Sequence, residues 1–175
     1  AITETVSGKV RGYKHKTIYT FKGIPYAEAN RFEAAHATKS WTGIRSSMTY
    51  GPVAPLMSPT NSVQDESEFV FDHNWGYTSE DCMRINVWTP GLNDGKKRPV
   101  LFWIHGGGFT AGSSQELPSY DGENLAKRGD VVVVSINHRL NILGYLDLSK
   151  YGEKYAHSAN NSIMDIVAAL EWVKN

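Results

Sequence analysis

The sequence predicts an α/β fold on a mixed, mostly parallel central sheet with an antiparallel N-terminal edge. Three observations carry this expectation. Two apolar runs, RPVLFWIHG (98–106) and DVVVVSINHR (130–139), are rich in Val and Ile, as suits strands covered on both faces. Between them GENLAKRG (122–129) consists of helix formers and stops at Gly129, a C-terminal signal. Residues 5–27 instead alternate β-branched or aromatic residues with Lys, Gly and Thr, the pattern of short antiparallel strands joined by tight turns.

The elements follow in order. After the N-terminal strands, the pattern weakens from Glu33 to about Glu80. There Pro, Ser, Asn and Gly recur, and Trp41, Tyr50, Phe69, Phe71 and Trp75 have no regular period. A long surface excursion anchored by aromatics is expected, and such loops often carry function. RINVWTP (84–90) restores a strand, followed by the two apolar strands and the helix between them. In the closing segment NNSIMDIVAALEWVKN, Ile163, Ile166, Val167, Leu170 and Val173 keep helical spacing, while Ala168, Ala169 and Trp172 add a second apolar face. That helix is expected to be buried on most sides. No strand follows it, and a parallel sheet ending there would keep an unpaired edge and uncovered apolar surface. Residues 1–175 are therefore expected to form the N-terminal segment of a single domain, incomplete on its own and finished by a continuation or a partner chain.

Composition excludes several function classes. The 175 residues hold 18 basic and 18 acidic side chains, so no net field steers the chain toward nucleic acid or an acidic membrane. No run has the length of a membrane span. One cysteine, Cys82, cannot close a disulfide within the chain. Ala1 in place of Met fits either an exported protein whose leader has been removed or a shortened N-terminus. Asn160-Asn161-Ser162 forms an N-glycosylation triplet, a short and common pattern of little weight. Nothing calls for a metal or an organic cofactor.

The segment FWIHGGGF (102–109) gives up three consecutive side chains where an apolar strand ends. A flexible turn would explain the glycines alone. In open α/β sheets, however, ligands bind beyond the carboxyl ends of the strands. Trp103 and Phe109 flank the run and could wall a pocket. No Lys-Ser or Lys-Thr follows at phosphate-loop spacing, and no GxGxxG occurs. Bare backbone N–H groups suit a developing oxyanion, because a chain without Cβ atoms can take positive φ and approach a tetrahedral intermediate closely. HGGG segments serve this purpose in lipases and esterases.

Several segments, in order, resemble the N-terminal part of a type-B carboxylesterase, the α/β-hydrolase family that includes the cholinesterases. FKGIPYA (21–27) is similar to an early strand and turn of that family, and EDCMRINVWTP (80–90) to its EDCLYLNVW-type signature. PVLFWIHGGGF (99–109) resembles the oxyanion strand, and VVVVSINHRLNILGYL (131–146) the NYRxGxxGFL segment. ANNSIMDIVAALEWV (159–173) resembles the GNxGLxDQxxALxWV helix. The resemblance implies that the N–H groups of Gly107 and Gly108 are oxyanion donors, that Gly106 shapes the turn, and that His105 and Phe109 support the loop. It also implies that the triad histidine lies downstream, so His105 is structural. No Gly-x-Ser-x-Gly occurs, and Ser113 and Ser114 lack the strand-to-helix context of a nucleophile elbow. The whole Ser/Glu/His triad is expected outside this chain.

Asp165 lies among apolar helix residues and needs a partner, for which Arg139 at the end of a buried strand is the best candidate. The resemblance points to the same pair and to a second, Arg31 with Glu80; a structural role is expected of both. The chain also departs from the family pattern. Cys82 matches a cysteine that in many members closes a disulfide to a preceding loop, but no upstream cysteine exists, so the 53–79 loop is expected to be untied. Met83 and Arg84 replace Leu and Tyr, His138 replaces Tyr, and Asn160-Asn161-Ser162 replaces a Gly-rich start to the helix. Trp75 lies where cholinesterases build part of a choline-binding wall, yet a core or anchoring role is the simpler expectation.

The function that follows is a serine carboxylesterase acting on a small-molecule ester, this chain supplying the oxyanion hole and part of the pocket. The alternative is a cholinesterase-like binding or adhesion module without the serine, against which the intact HGGGF counts. The hormone-sensitive-lipase group also carries HGGG, but the EDC and NHRLNILGYL segments favour type B.

Overall fold

A computed structural model describes residues 1–55 and 73–175. Its strands are β1 (Ile2–Thr5), β2 (Gly8–Arg11), β3 (Tyr13–His15), β4 (Ile18–Pro25), β5 (Ala27–Glu28), β6 (His36–Ala37), β7 (Ile44–Ser46), β8 (Arg84–Thr89), β9 (Val100–Ile104) and β10 (Val132–Asn137). Helices are α1 (Glu123–Gly129), α2 (Asn141–Tyr145) and α3 (Asn161–Lys174). The main sheet has the order β3-β4-β8-β10-β9, beside small β1-β2-β7 and β5-β6 sheets.

The sheet is mixed, and its antiparallel edge reaches further in than the sequence pattern indicated. β3–β4, β4–β8 and β8–β10 pair antiparallel. Among the described residues the main sheet's parallel pairing is β9–β10, with a second parallel pair, β2–β7, in the small sheet. β9 and β10 are joined through α1, the helical crossover that a parallel pair requires. α1 stops on Asp130 in the left-handed region at φ 47°, one residue past the expected Gly129. Its short polar side chain tolerates that conformation and accepts a hydrogen bond from Arg98 Nε at 2.8 Å.

Alternation along β4, β8 and β10 separates two cores. Phe21, Ile24, Ile85, Val134 and Ile136 pack toward Ala169 of α3. Ile18, Trp88 and Val133 pack against Ala126 of α1. Each buried Ile, Val or Phe contributes roughly 1.5–3 kcal/mol, enough for the sheet's inner strands to dominate the fold's stability.

Two expectations need correction. β10 is covered on both faces, but β9 is the sheet edge and exposes Val100, Leu101, Trp103 and Ile104. α3 is half-buried: Asn161, Ser162, Asp165 and Ala169 face inward, while Ile163, Met164, Val167 and Leu170 are exposed. Both surfaces are apolar and only sparsely covered among the described residues, Trp103 meeting Tyr120. No helix among the described residues is long and apolar enough to cross a membrane.

α3 is fixed to the sheet by the Arg139–Asp165 pair expected from the sequence. Arg139 Nη2 and Nε reach the two carboxylate oxygens at 2.6 and 2.9 Å, and the Arg139 N–H donates to Oδ2 at 3.1 Å. Arg139 Nη1 donates to the Glu33 carbonyl at 2.7 Å, so one guanidinium ties three segments. Burial pushes the Asp165 carboxyl up, and the Arg139 hydrogen bonds oppose that rise. Arg139→Ala would strand the carboxylate in a dry site, with an expected loss of roughly 3–5 kcal/mol. Urea denaturation of the purified variant checks this; a midpoint unchanged from the parent would contradict it.

Candidate active site

The register of β10 on β9 places Ile136 opposite Ile104, so the two strands end side by side. The chain leaving β9 is His105-Gly106-Gly107-Gly108-Phe109, and that leaving β10 is His138-Arg139. The bends of the glycine run fall on Gly107 (φ 119°), Gly108 (φ 60°) and Gly112 (φ 102°). A Cβ on Gly107 would lie 2.0 Å from the Ala111 carbonyl oxygen, and one on Gly112 2.3 Å from the Gly106 carbonyl oxygen. The turn is therefore shaped by these residues and not by Gly106, whose expected role fails because a Cβ there meets open space. The Gly107 carbonyl turns inward and accepts from the N–H groups of Thr110 and Ala111, each at 3.2 Å. Among the described residues no acceptor takes the N–H of Gly107 or Gly108.

Phe109 is held at φ 71°, a strained value for a bulky side chain. Its carbonyl accepts from the Asn141 N–H at 2.7 Å, and its ring meets Tyr145 edge-on at 5.2 Å. The strain is sustained because the loop is tied to α2 at this point. Phe109 is 65% exposed and lines a cleft of about 220 Å³ with Ile104, Gly106, Gly108, His138 and Tyr145. Trp103 does not wall this cleft. It points to the opposite face of β9, against Tyr120 at 5.2 Å, because successive strand side chains alternate.

His105 is buried, and its Nδ1–H donates to the Gly106 carbonyl at 2.8 Å. Desolvation holds it below the ordinary histidine range. His138 stacks on it, centroids 5.0 Å apart at 17°. Burial, then the neighbouring His105, pushes His138 down to about 4, so both rings are neutral near pH 7.

The loop returns to the sheet through buried polar groups. The Ser114 N–H donates to Asn137 Oδ1 at 2.8 Å, and Asn86 Nδ2 donates to Ser114 Oγ and Ser135 Oγ at 2.9 and 3.0 Å. Ser113 and Ser114 are buried, and Ser114 is committed to this scaffold. Sequence reasoning missed Asn86, Asn137 and Gly112. A signal existed for the first: Asn86 and Ser135 are polar positions inside apolar strand runs, where a buried partner is needed.

The remaining candidates lie apart from the cleft. Arg31 pairs with Glu80 through Nη2–Oε1 and through Nε–Oε2 at 2.9 Å, as the sequence implied, but both side chains are substantially exposed. This pair is therefore a weak surface tether. Cys82 is a buried free thiol pushed up to about 12 by burial, which leaves it protonated. Trp75 is no core residue; it stacks on His73 at 5.0 Å and is 45% exposed. Phe69, Phe71 and most of the expected 53–79 loop lie outside the described residues.

A family model described as the carboxylesterase family matches residues 1–175. The chain is 39% identical over 98% of its length to phenmedipham hydrolase of Pseudarthrobacter oxydans, covering 33% of that protein. It is 37% identical over 99% of its length to para-nitrobenzyl esterase of Bacillus subtilis, covering 34% of it. An esterase structure from Clostridium hathewayi, which can hydrolyse aliphatic aromatic polyesters, superposes on 99% of the chain with a TM-score of 0.93 and 48% identity; 34% of that esterase is covered. The chain thus spans about a third of the length of these relatives, whose fold is the α/β hydrolase.

Two outcomes follow from this geometry. Gly108→Ala adds only left-handed strain, about 1–2 kcal/mol, whereas Gly107→Ala also drives a Cβ into backbone and loses more; equal unfolding midpoints would contradict the loop conformation. Because His138 is depressed from 6.5 to about 4, the unfolded chain binds a proton that the folded state refuses between those values. Stability is complete above pH 6.5 and falls as pH drops, by up to about 3 kcal/mol at pH 4. His138→Phe should flatten this part of the acid limb, as measured by denaturation at each pH; an unchanged slope would contradict it.

Proposed function

The chain belongs to the carboxylesterase family, and from that premise we propose that the protein containing it hydrolyses small-molecule carboxylic esters by a serine mechanism. The observation that carries the reading is the pair Gly107 and Gly108, two bent glycines past a strand end whose N–H groups have no acceptor among the described residues. In the proposed cycle a serine oxygen bonds to the ester carbonyl carbon while a histidine takes the serine proton. The carbonyl oxygen becomes an oxyanion and accepts from Gly107 and Gly108. Collapse of the intermediate breaks the bond to the alcohol, which leaves with the histidine's proton. Water then repeats the sequence on the acyl-enzyme and releases the acid.

Each donor in such a hole is worth roughly 3 kcal/mol in the transition state. That benefit depends on donors fixed before the substrate arrives, which the inward Gly107 carbonyl and the Phe109–Asn141 bond support. The serine, acid and histidine are proposed to lie beyond residues 1–175, in a continuation or in a separate chain. His105 and His138 are unsuited to replace the triad base. His105 gives its Nδ1–H to its own loop, and both rings are buried and stacked.

Assay of the full-length protein with p-nitrophenyl acetate tests this reading. Turnover with a burst of p-nitrophenol and one-to-one inactivation by an organophosphate is expected, and residues 1–175 alone should be inert. A full-length protein without turnover would point to the binding module, and enzyme-like rates from residues 1–175 alone would overturn the placement of the triad.

A further inference from the structure

His138 has a geometry that a simple core residue does not need. It is 4% exposed, and its Nδ1 faces two oxygens, the Arg139 carbonyl at 3.2 Å and Ser162 Oγ at 2.8 Å. Nδ1 either donates to these oxygens or accepts the Ser162 hydroxyl proton, and in both tautomers this edge of the ring is held by Ser162. Nε2 is buried and without a partner among the described residues. The ring is thus pinned to the first turn of α3 and presents its face to His105.

His105 in turn controls the glycine run. Its Nδ1–H holds the Gly106 carbonyl, and Gly112 closes on the same edge, where a Cβ would stand 2.7 Å from Nδ1. Rotation of His105 would therefore displace the carbonyl that precedes Gly107. The face of His105 is covered by the His138 ring.

We propose that His138 is a positioning residue for the oxyanion loop, transmitting the fixed place of α3 through Ser162 and the stacked His105 ring to the backbone of Gly106–Gly108. The groups around it fit this role. Arg139 and Asp165 are committed to each other, and Tyr145 lines the same cleft with a buried hydroxyl that has no partner among the described residues. Glu116 bears on His105, not on His138. The kinetic part of the proposal rests on the ester-hydrolase reading; the structural part does not.

The test compares His138→Ala, His138→Phe and Ser162→Ala in the full-length protein by p-nitrophenyl acetate kinetics and by hydrogen exchange of amides 106–112. His138→Ala is expected to lower kcat at least ~10-fold, below the 10²–10³ of a lost donor, with KM within about threefold. Exchange at Thr110 and Ala111 should accelerate in step, because their N–H groups depend on the Gly107 carbonyl. His138→Phe keeps the stacked ring but loses the bond to Ser162, so it and Ser162→Ala should both fall between the native protein and His138→Ala in both measurements. The proposal is overturned if folded His138→Ala keeps native kcat and exchange, or if the Phe variant is as impaired as the Ala variant. Should the Ala variant not fold, the Phe variant decides: kcat and exchange within about threefold of native support the stack, and a tenfold loss in a folded protein refutes it. If the native protein hydrolyses no ester, the function reading fails while the exchange measurements still judge His138.

Discussion

The site depends on one residue at the end of β10. Asn137 accepts the Ser114 N–H on Oδ1 at 2.8 Å, donates through Nδ2 to the Pro52 carbonyl at 3.1 Å, and accepts the Tyr26 hydroxyl on its own carbonyl at 2.9 Å. A single buried residue therefore binds the segment after the glycine run, the residue preceding the 53–79 excursion and the turn after β4. Such a network stabilises only when every member is satisfied, because an unpaired polar group in a dry site costs more than a made bond returns. Asn86 completes it from the neighbouring strand, with Oδ1 accepting the Gly23 N–H at 2.9 Å.

This anchoring makes a run of three glycines behave as a rigid element. Glycine loses more entropy on folding than any other residue, so three in sequence favour disorder. Here both ends are fixed: His105 continues from β9, and Ser114 is locked to β10. Between them the strained Phe109 is held by Asn141, and the Gly107 carbonyl is used up internally. The N–H groups of Gly107 and Gly108 are left without an acceptor among the described residues. In the proposed reading, donors held in this way would need no reorganisation when charge develops in a transition state.

Much of this was legible in the residues. The β8, β9 and β10 runs, the final helix and the Arg139–Asp165 pair followed from apolar runs, helical spacing and an isolated carboxylate in an apolar helix. Burial was harder to read. The apolar composition of β9 indicates cover on both faces but does not say which part of a protein supplies it, and among the described residues that cover is incomplete. The same limit made α3 look buried on most sides. Within the site, the glycines identified the loop, but which of them bends depends on contacts with Ala111 and the Gly106 carbonyl that spacing does not encode. The stack of His138 on His105 arises from strand register, so two histidines 33 positions apart gave no local signal.

In the proposed reading the backbone N–H groups of Gly107 and Gly108 receive the oxyanion. A crystal structure of the full-length protein inactivated by a phosphonate ester tests it most directly. The account predicts the phosphonyl oxygen at about 2.7–3.1 Å from both nitrogens, with the loop in the conformation described above. An adduct whose oxygen points elsewhere, or a loop that must refold to reach it, would contradict the claim.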